Sequence, residues 1–497
     1  MDRTSRSENK LQKWVVFLLV MAVPALAWGQ KKTSAPAPKA PSHASAPSHA
    51  APSHAATQSH TSTQSHTNTA AGHGNTASHG NTTAGRGNVA GNRGAGAHAP
   101  PGRSVSMKGG GHANIRPNGS VRSIDRNGMH IQNGVHGGRT VVSERNGARI
   151  VTRGHGGGYV QRAYVTRGGH AYYSRTFYAG GRYHVGLYRG YGWGGHTYFG
   201  YYPGVWYHPG FYGWGFHPWG VPIAWGIGAW GWGGSPWWGF YGGWWNPYPV
   251  YAAPYYWLTD YLISQQLQAA YAARAEDNAD AVAADAAASG GGGDAAPAAA
   301  SGPVALTPEV KEAIAQEIKA QLAAQQTQAG QDSGGQASAA PAPTSDQPPP
   351  ALDPSQRTFV VDSDVTVVAN GQECALTSGD VITRLTDTPD GDQNVNASVS
   401  ATKKGDCASG QTVAVKVDDL QEMYNHFQEN ITNGMGELAK KQGTGGMPKA
   451  PDTGTQAGAV TPPPPDTSVA KTLQDQQAAA DQAETDAKQD ASSGGGQ

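Results

Sequence analysis

The sequence is poor in charged residues and lacks the motifs of the common enzyme classes. Only 14% of its 497 residues are charged, whereas 69 are glycine and 33 are proline. This glycine and proline content approaches low-complexity composition and excludes a single large hydrophobic core. The chain contains no glycine-rich phosphate loop, HExxH helix, GxSxG elbow or zinc-binding cysteine cluster. We therefore predict a non-enzymatic protein that uses no cofactor.

Cysteine is almost absent, since the chain has only Cys374 and Cys407. Their wide separation excludes a CxxC redox or zinc motif. An even count in an exported chain favours a disulfide over a catalytic thiol. Closing a loop of about 34 residues would stabilise the fold by roughly 3–4 kcal/mol in the chain-entropy model. We predict a disulfide between these two cysteines.

Residues 1–29 have the pattern of a secretory signal peptide. Four basic residues precede an apolar run from Trp14 to Ala27, and small residues around Ala27 provide a cleavage site. The run is short for a membrane span, although an uncleaved anchor is the alternative. The sequence thus predicts export to the periplasm, the outer envelope or the extracellular space. No transmembrane span is expected after cleavage.

Acidic residues are nearly missing from the first part of the chain. Residues 31–189 carry 19 Lys and Arg against only Asp125 and Glu144, whereas residues 260–497 carry 13 Lys and Arg against 32 Asp and Glu. Residues 190–259 have no charged side chain. Such asymmetry indicates interaction between oppositely charged surfaces. The two parts could attract each other within one molecule or join neighbouring molecules head to tail.

Residues 30–106 form a low-complexity tract rich in His, Ala, Ser and Thr. Without aliphatic clusters the tract cannot bury enough surface to offset its ordering entropy, so we predict disorder. Its regularly spaced histidines could hold Zn, Ni or Cu weakly through neutral imidazoles. Structural zinc sites use tighter, paired spacings, and we therefore favour a polar spacer. The candidate metal ligands are His43, His49, His54, His60, His66, His73 and His79.

Residues 107–189 have the pattern of an antiparallel β-meander with an arginine-rich face. The runs SVRSIDR, RTVVSER and ARIVTR alternate apolar and polar residues, and Asn-Gly turn signals separate them. Because arginine suits planar anions, this face is a candidate site for acidic polymers, with no genomic nucleic acid expected. The alternative is a solvated strand face that protects open edges from aggregation. The candidate residues are Arg122, Arg126, Arg139, Arg145, Arg149 and Arg153.

Residues 190–257 form an uncharged aromatic block that contains 12 Trp, 11 Tyr and 18 Gly. The block has too many Gly and Pro residues for a transmembrane helix. Its rings could stack on sugars, meet a lipid–water interface or drive self-association. The alternative is an internal cluster that folds back on the preceding sheet. The candidate contact residues are Trp230, Trp232, Trp237, Trp238, Trp244 and Trp245.

Two helices follow the aromatic block. The first is predicted over 258–287 with Thr259 as its N-cap, and the second over 303–325 with Thr307 as its N-cap and Pro308 in its first turn. The second helix has a narrow apolar stripe that should pack on a neighbouring element. Linkers are predicted over 288–302 and 326–356 from their Gly, Ala, Ser, Pro and Gln content.

The last part of the chain is predicted to hold a small β-barrel and a disordered tail. Residues 357–445 contain several alternating runs followed by an amphipathic helix that Asp418 and Asp419 should cap. Residues 446–497 return to Pro, Gln, Ala and Asp and are expected to be disordered. The complete chain is therefore predicted to be mostly β, with long disordered segments.

Two segments resemble known protein families. LTSGDVI, at residues 376–382, is similar to a turn and strand of bacterial Src-homology-3-like barrels. The WLTDYLI block at residues 257–263, with the segments around it, resembles an uncharacterised family of secreted bacterial proteins. The second resemblance implies an exported protein that ends in a small barrel, and it implies no catalytic residue or ligand. We predict a non-enzymatic envelope or matrix protein that acts by adhesion or scaffolding, with polymer or metal binding as the alternatives.

Overall fold

A computed structural model describes residues 102–154, 157–288, 305–333, 348–403 and 405–493. The predicted signal peptide, nearly all of the histidine tract, nearly all of the 288–302 linker and residues 334–347 of the second predicted linker lie outside these residues. The described part of the chain is mostly β and contains seven α-helices. No helix in the described ranges is long and apolar enough to cross a membrane.

The arginine-rich region forms a ten-stranded antiparallel meander in which each strand pairs with the next along the chain. Asn127 and Asn146 adopt left-handed backbone conformations, with φ of 51° and 52°, at the turns before Gly128 and Gly147. These are the Asn-Gly turns whose twist matches that of a hairpin, so the sequence signals have a local physical basis. The strands are β1 (Arg103–Ser106), β2 (His112–Ile115), β3 (Val121–Arg126), β4 (Met129–Asn133), β5 (Arg139–Arg145), β6 (Ala148–Arg153), β7 (Gly157–Arg167), β8 (His170–Ala179), β9 (Arg182–Trp193) and β10 (His196–Tyr202).

The aromatic block forms short elements around a buried core. Strand β11 (Val205–Tyr207) is followed by helices α1 (Pro209–Phe216), α2 (Ile227–Trp230) and α3 (Pro236–Tyr241). Glycine and proline interrupt the block too often for long elements, so the helices are short. Indole and phenol rings then fill the spaces between the elements.

The two predicted helices are α4 (Pro254–Ala288) and α5 (Pro308–Ser333). Helix α4 starts five residues before the expected N-cap, and the Thr259 hydroxyl donates instead to the Tyr255 carbonyl oxygen at 2.8 Å. A proline at the first helical position explains the earlier start. The predicted N-cap of α5 is confirmed, because the Val310 amide donates to the Thr307 hydroxyl at 3.4 Å. The helix continues to Ser333, eight residues into the predicted linker.

The expected barrel region forms an open six-stranded sheet. Its strand order is β12-β15-β16-β17-β13-β14, and β12 and β14 are the edges rather than a closing pair. Each of its pairings is antiparallel. The strands are β12 (Thr358–Val360), β13 (Val365–Ala369), β14 (Gln372–Leu376), β15 (Val381–Arg384), β16 (Asn394–Ala401) and β17 (Thr412–Lys416), and helix α6 (Val417–Lys441) follows them.

The predicted disulfide is present in this part of the chain. Cys374 and Cys407 are joined, and both are buried. Asp418 and Asp419 lie in the first turn of α6, but Lys416 occupies the N-cap and no side chain caps the helix. The two aspartates therefore favour the helix through its dipole rather than as caps.

The C-terminal region is ordered where disorder was expected. Strand β18 (Thr455–Ala457) pairs with β11, and helix α7 (Val469–Ser493) packs on the meander. Helix α7 has few large apolar residues, and for that reason its composition resembles that of a disordered segment. Its buried Leu473, Ala480 and Ala483 pack on apolar residues of the meander, which supplies the surface that the helix lacks.

Candidate interaction surfaces

Helix α7 binds two of the arginines that were candidates for polymer binding. Arg126 donates to Asp486 at 2.5 Å. Arg139 donates to Asp481 at 2.6 Å and to Glu484 at 3.3 Å. These arginines are therefore engaged by acidic residues of the same chain.

Two more candidate arginines contact the six-stranded sheet. Arg122 lies 3.0 Å from Glu373, whose other carboxylate oxygen is 2.6 Å from Arg116. Arg153 donates to Asp362 at 2.8 Å. Burial acts to raise the pKa of Asp362, but the nearby Arg153 and His426 lower it below its usual value. The acidic part of the chain thus neutralises this surface as well.

The remaining two candidates are less engaged. Arg149 lies 3.6 Å from the exposed Glu144, and its Nε atom is buried without a hydrogen-bond partner. Arg145 is exposed at the β5–β6 turn, and no ion pair to it is found among the described residues. Four of the six candidates are therefore paired with the acidic part of the chain, as the intramolecular alternative for the charge asymmetry requires.

A further arginine, which the sequence reasoning did not single out, connects the meander to α6. Arg175 is fully buried, and its guanidinium donates to both oxygens of Glu422 at 2.6 and 2.9 Å. Its Nε donates to Gln161 at 2.6 Å. The guanidinium also lies 4.5 Å and 3.8 Å from the ring centres of Tyr159 and Tyr188. An arginine on a strand whose two neighbouring strands both carry tyrosines is the signal that could have indicated this site.

The tryptophan candidates lie inside the protein. Trp232, Trp237, Trp244 and Trp245 are buried, with 1–8% of their surface exposed, while Trp230 and Trp238 are partly buried. Trp230 stacks on Trp232 and on Trp257 with ring centres 4.4 Å apart in each case. The tryptophans therefore form the internal cluster that was the alternative interpretation of the aromatic block. Little of their indole surface is left for an external partner.

The WLTDYLI block contributes a buried ion pair to the same core. Asp260 is fully buried, lies 2.9 Å from the Lys311 ammonium and accepts a hydrogen bond from the Tyr251 hydroxyl at 2.7 Å. Burial raises the pKa of Asp260 and lowers that of Lys311, while their mutual attraction opposes both shifts. The pair joins α4 to α5. Because both side chains are buried, the contact is structural.

The LTSGDVI segment has a similar pair. Asp380 accepts from Lys403 at 3.0 Å and from the Thr377 amide at 2.7 Å. Ser378 donates to the Gln266 side chain of α4 at 3.1 Å. The turn thereby attaches the six-stranded sheet to the aromatic core.

A polar cleft of about 340 Å³ lies between the meander and the first turns of α6. Strands β5, β6 and β7, the β9–β10 hairpin and α6 all contribute to its walls. Two of its charged residues are paired with residues outside the cleft, since Arg153 binds Asp362 and Glu422 binds Arg175.

The other charged residues of the cleft are mainly acidic. Asp418, Asp419 and Glu144 line it together with Arg149. Burial raises the pKa of Asp419 to about 6, and the neighbouring Lys416 opposes that shift. Near neutral pH the four residues therefore give the cleft a negative balance.

Neither a search for metal-binding groups nor a comparison with known proteins assigns a function to these surfaces. Within the described residues, no group of three His, Cys, Asp or Glu side chains is placed to hold a metal ion, and the seven candidate histidines lie outside those residues. No protein-family model, no curated protein and no solved structure matches the chain.

Proposed function

We propose that this protein is a non-enzymatic scaffold of the exported bacterial envelope or extracellular matrix. The observation that supports the proposal is a set of ion pairs: acidic elements of the same chain bind the basic meander on both of its sides. Arg139 binds α7 on one side, and Arg175 binds α6 on another. Such residues join layers of structure rather than converge on a reacting group.

Two features support export. The N-terminal 29 residues have the signal-peptide pattern, and the Cys374–Cys407 disulfide is a bond that persists mainly in oxidising compartments. We further propose that the six-stranded sheet is related to Src-homology-3-like barrels through LTSGDVI, and that the chain is related to the secreted family with the WLTDYLI block. Both relationships rest on sequence resemblance.

Cell fractionation tests the scaffold. In bacteria that express the full chain, the protein should appear in the membrane or matrix fraction. A variant without residues 1–29 is the control and should stay inside the cell. Recovery of the exported protein only as a freely soluble monomer would show that the scaffold proposal is wrong.

A second candidate function is glycan binding in the polar cleft. The excess of Asp418, Asp419 and Glu144 over Arg149 disfavours a polyanion and favours a neutral or amino-bearing glycan. We expect a chitosan oligomer to bind more tightly than dextran sulfate in calorimetric titrations of the purified chain. Asp419→Asn should weaken that binding, whereas the exposed Asp475→Asn should leave it unchanged. Tighter binding of dextran sulfate would contradict this assignment.

Metal binding by the histidine tract remains a separate proposal. It is supported by the regular spacing of seven imidazoles between residues 43 and 79. Titration with Ni²⁺ should show weak binding that disappears when residues 40–80 are removed. An unchanged titration after that deletion would eliminate the tract as the site.

A further inference from the structure

The surface beneath α7 is apolar along its centre. Ala480, Ala483 and Ala487 pack against a cluster that includes Ile131 and Val141 of the meander. Val469 and Leu473 of α7 pack against a second cluster, formed by Ala148, Ile150 and Val160. The buried positions of α7 recur every three or four residues, so they form one face of the helix.

Hydrogen bonds and ion pairs surround this apolar centre. Arg126 and Arg139 bind the acidic residues of α7 along its length. At the C-terminal end of the helix, Arg103 donates to the Ala491 carbonyl oxygen at 2.9 Å, and the Lys108 amide donates to Asp490 at 2.8 Å. A cation at the end of a helix is favoured by the helix dipole.

The surface therefore fits one kind of partner. An acidic helix with small residues on one face meets both the apolar centre and its basic margins. A hydrated polysaccharide would leave Ile131, Val141 and Ile150 against polar groups. The chemistry of the surface selects a helix like α7 rather than an extended polyanion.

The segment that connects α7 to the rest of the chain is rich in proline. Residues 462–465 are four consecutive prolines, between the buried Val460 and the start of α7. Such a segment is stiff and extended, at roughly 3.1 Å per residue. The four prolines alone would thus hold a released α7 about 12 Å from the body.

We propose that α7 also docks on the meander of a second copy of this chain, so that two copies exchange their C-terminal helices. Exchange replaces each contact of α7 with an identical contact, and the main cost is the entropy of association. The exchanged form is therefore favoured at high local concentration. The inference rests on the proposed scaffold function, to which it adds a mechanism of self-association.

Charge reversal gives a direct test. One variant carries Arg126→Glu and Arg139→Glu, and the other carries Asp481→Arg, Glu484→Arg and Asp486→Arg. Each variant alone should be monomeric with a protease-sensitive α7, because like charges face each other. An equimolar mixture should double in mass to a 1:1 dimer, since each helix then meets a sheet of opposite charge. Size-exclusion chromatography with light scattering measures the mass.

The controls decide between the outcomes. A chain that carries all five changes should protect α7 from protease, which shows that the reversed contacts are compatible with folding. Asp475→Arg alters an outward residue that pairs only with Lys471 of the same helix in the described structure, and should have no effect. If the five-change chain is protected but the mixture stays monomeric, exchange is excluded.

Two further measurements separate the alternatives. Differently labelled wild-type copies should exchange and give energy transfer that rises with protein concentration. If the Asp481→Arg, Glu484→Arg, Asp486→Arg variant binds dextran sulfate at its exposed sheet but does not pair with the complementary variant, the partner is a polyanion and the proposal is wrong. Failure of exchange together with envelope fractionation would refute this inference alone. Soluble recovery together with intact exchange would refute the scaffold alone.

Discussion

Replacement of Arg175 by methionine should destabilise the protein strongly. The side chain is fully buried, and its guanidinium makes three hydrogen bonds, two to Glu422 and one to Gln161. Arg175→Met would leave Glu422 without its partner and Gln161 without a donor. Breaking a buried ion pair on one side costs about 3–5 kcal/mol.

The lower end of that range is expected for Arg175→Met. The Glu422 side chain is 24% exposed, so water can partly solvate the carboxylate after Arg175 is lost. We therefore expect the free energy of unfolding to fall by about 3 kcal/mol. Urea denaturation followed by tryptophan fluorescence measures it, with an unchanged m-value as the check on two-state behaviour.

A double variant isolates the contribution of the pair. Arg175→Met with Glu422→Gln removes both charges and should cost less than Arg175→Met alone. Arg145→Met alters an exposed arginine and should change stability by no more than about 0.5 kcal/mol. The reasoning fails if Arg175→Met costs under about 1 kcal/mol, or if the double variant costs the sum of the two single changes.

Three other predictions concern the remaining contacts. The hydrogen bond from Arg126 lowers the pKa of Asp486 from 3.8. The contribution of Asp486 to docking of α7 is therefore present above pH 3.8 and is lost as the pH falls through the lowered pKa. Protection of α7 from protease should decrease in the same range. Protection that is unchanged at pH 2 would contradict this. Gly434→Ala would place a methyl group 2.6 Å from Leu258 and should cost about 1–3 kcal/mol in urea denaturation, whereas Gly228→Ala, with open space around it, should not. Cys374→Ser should lower the free energy of unfolding by about 3–4 kcal/mol, and an unchanged melting temperature would exclude a stabilising role for the disulfide.

The parts of the fold that the sequence predicts are those that local chemistry determines. The meander follows from Asn-Gly turns such as Asn127-Gly128, whose left-handed conformation starts a hairpin without help from distant residues. The start of α5 follows from Thr307 and Pro308 for the same reason. The disulfide follows from there being only two cysteines in the chain.

The parts that the sequence does not predict depend on distant partners. The order of α7 comes from an apolar surface more than three hundred residues earlier in the chain, and no local feature of an alanine-rich, acidic segment reveals it. The role of Asp260 likewise requires Lys311, which belongs to another helix. Whether the six strands close depends on a pairing between β12 and β14 that does not form.

Two of the charged interfaces of the meander, with α6 and with α7, differ in their exposure to solvent. Arg175 and Glu422 meet at a buried site, where salt screens little. Arg139 and Asp481 meet where the aspartate side chain is 66% exposed, so ions weaken their attraction. Rising ionic strength is therefore expected to weaken the Arg139–Asp481 pair more than the Arg175–Glu422 pair. A partner that competes for the basic meander is therefore expected to act where α7 lies, because the ion pair there is the more exposed one.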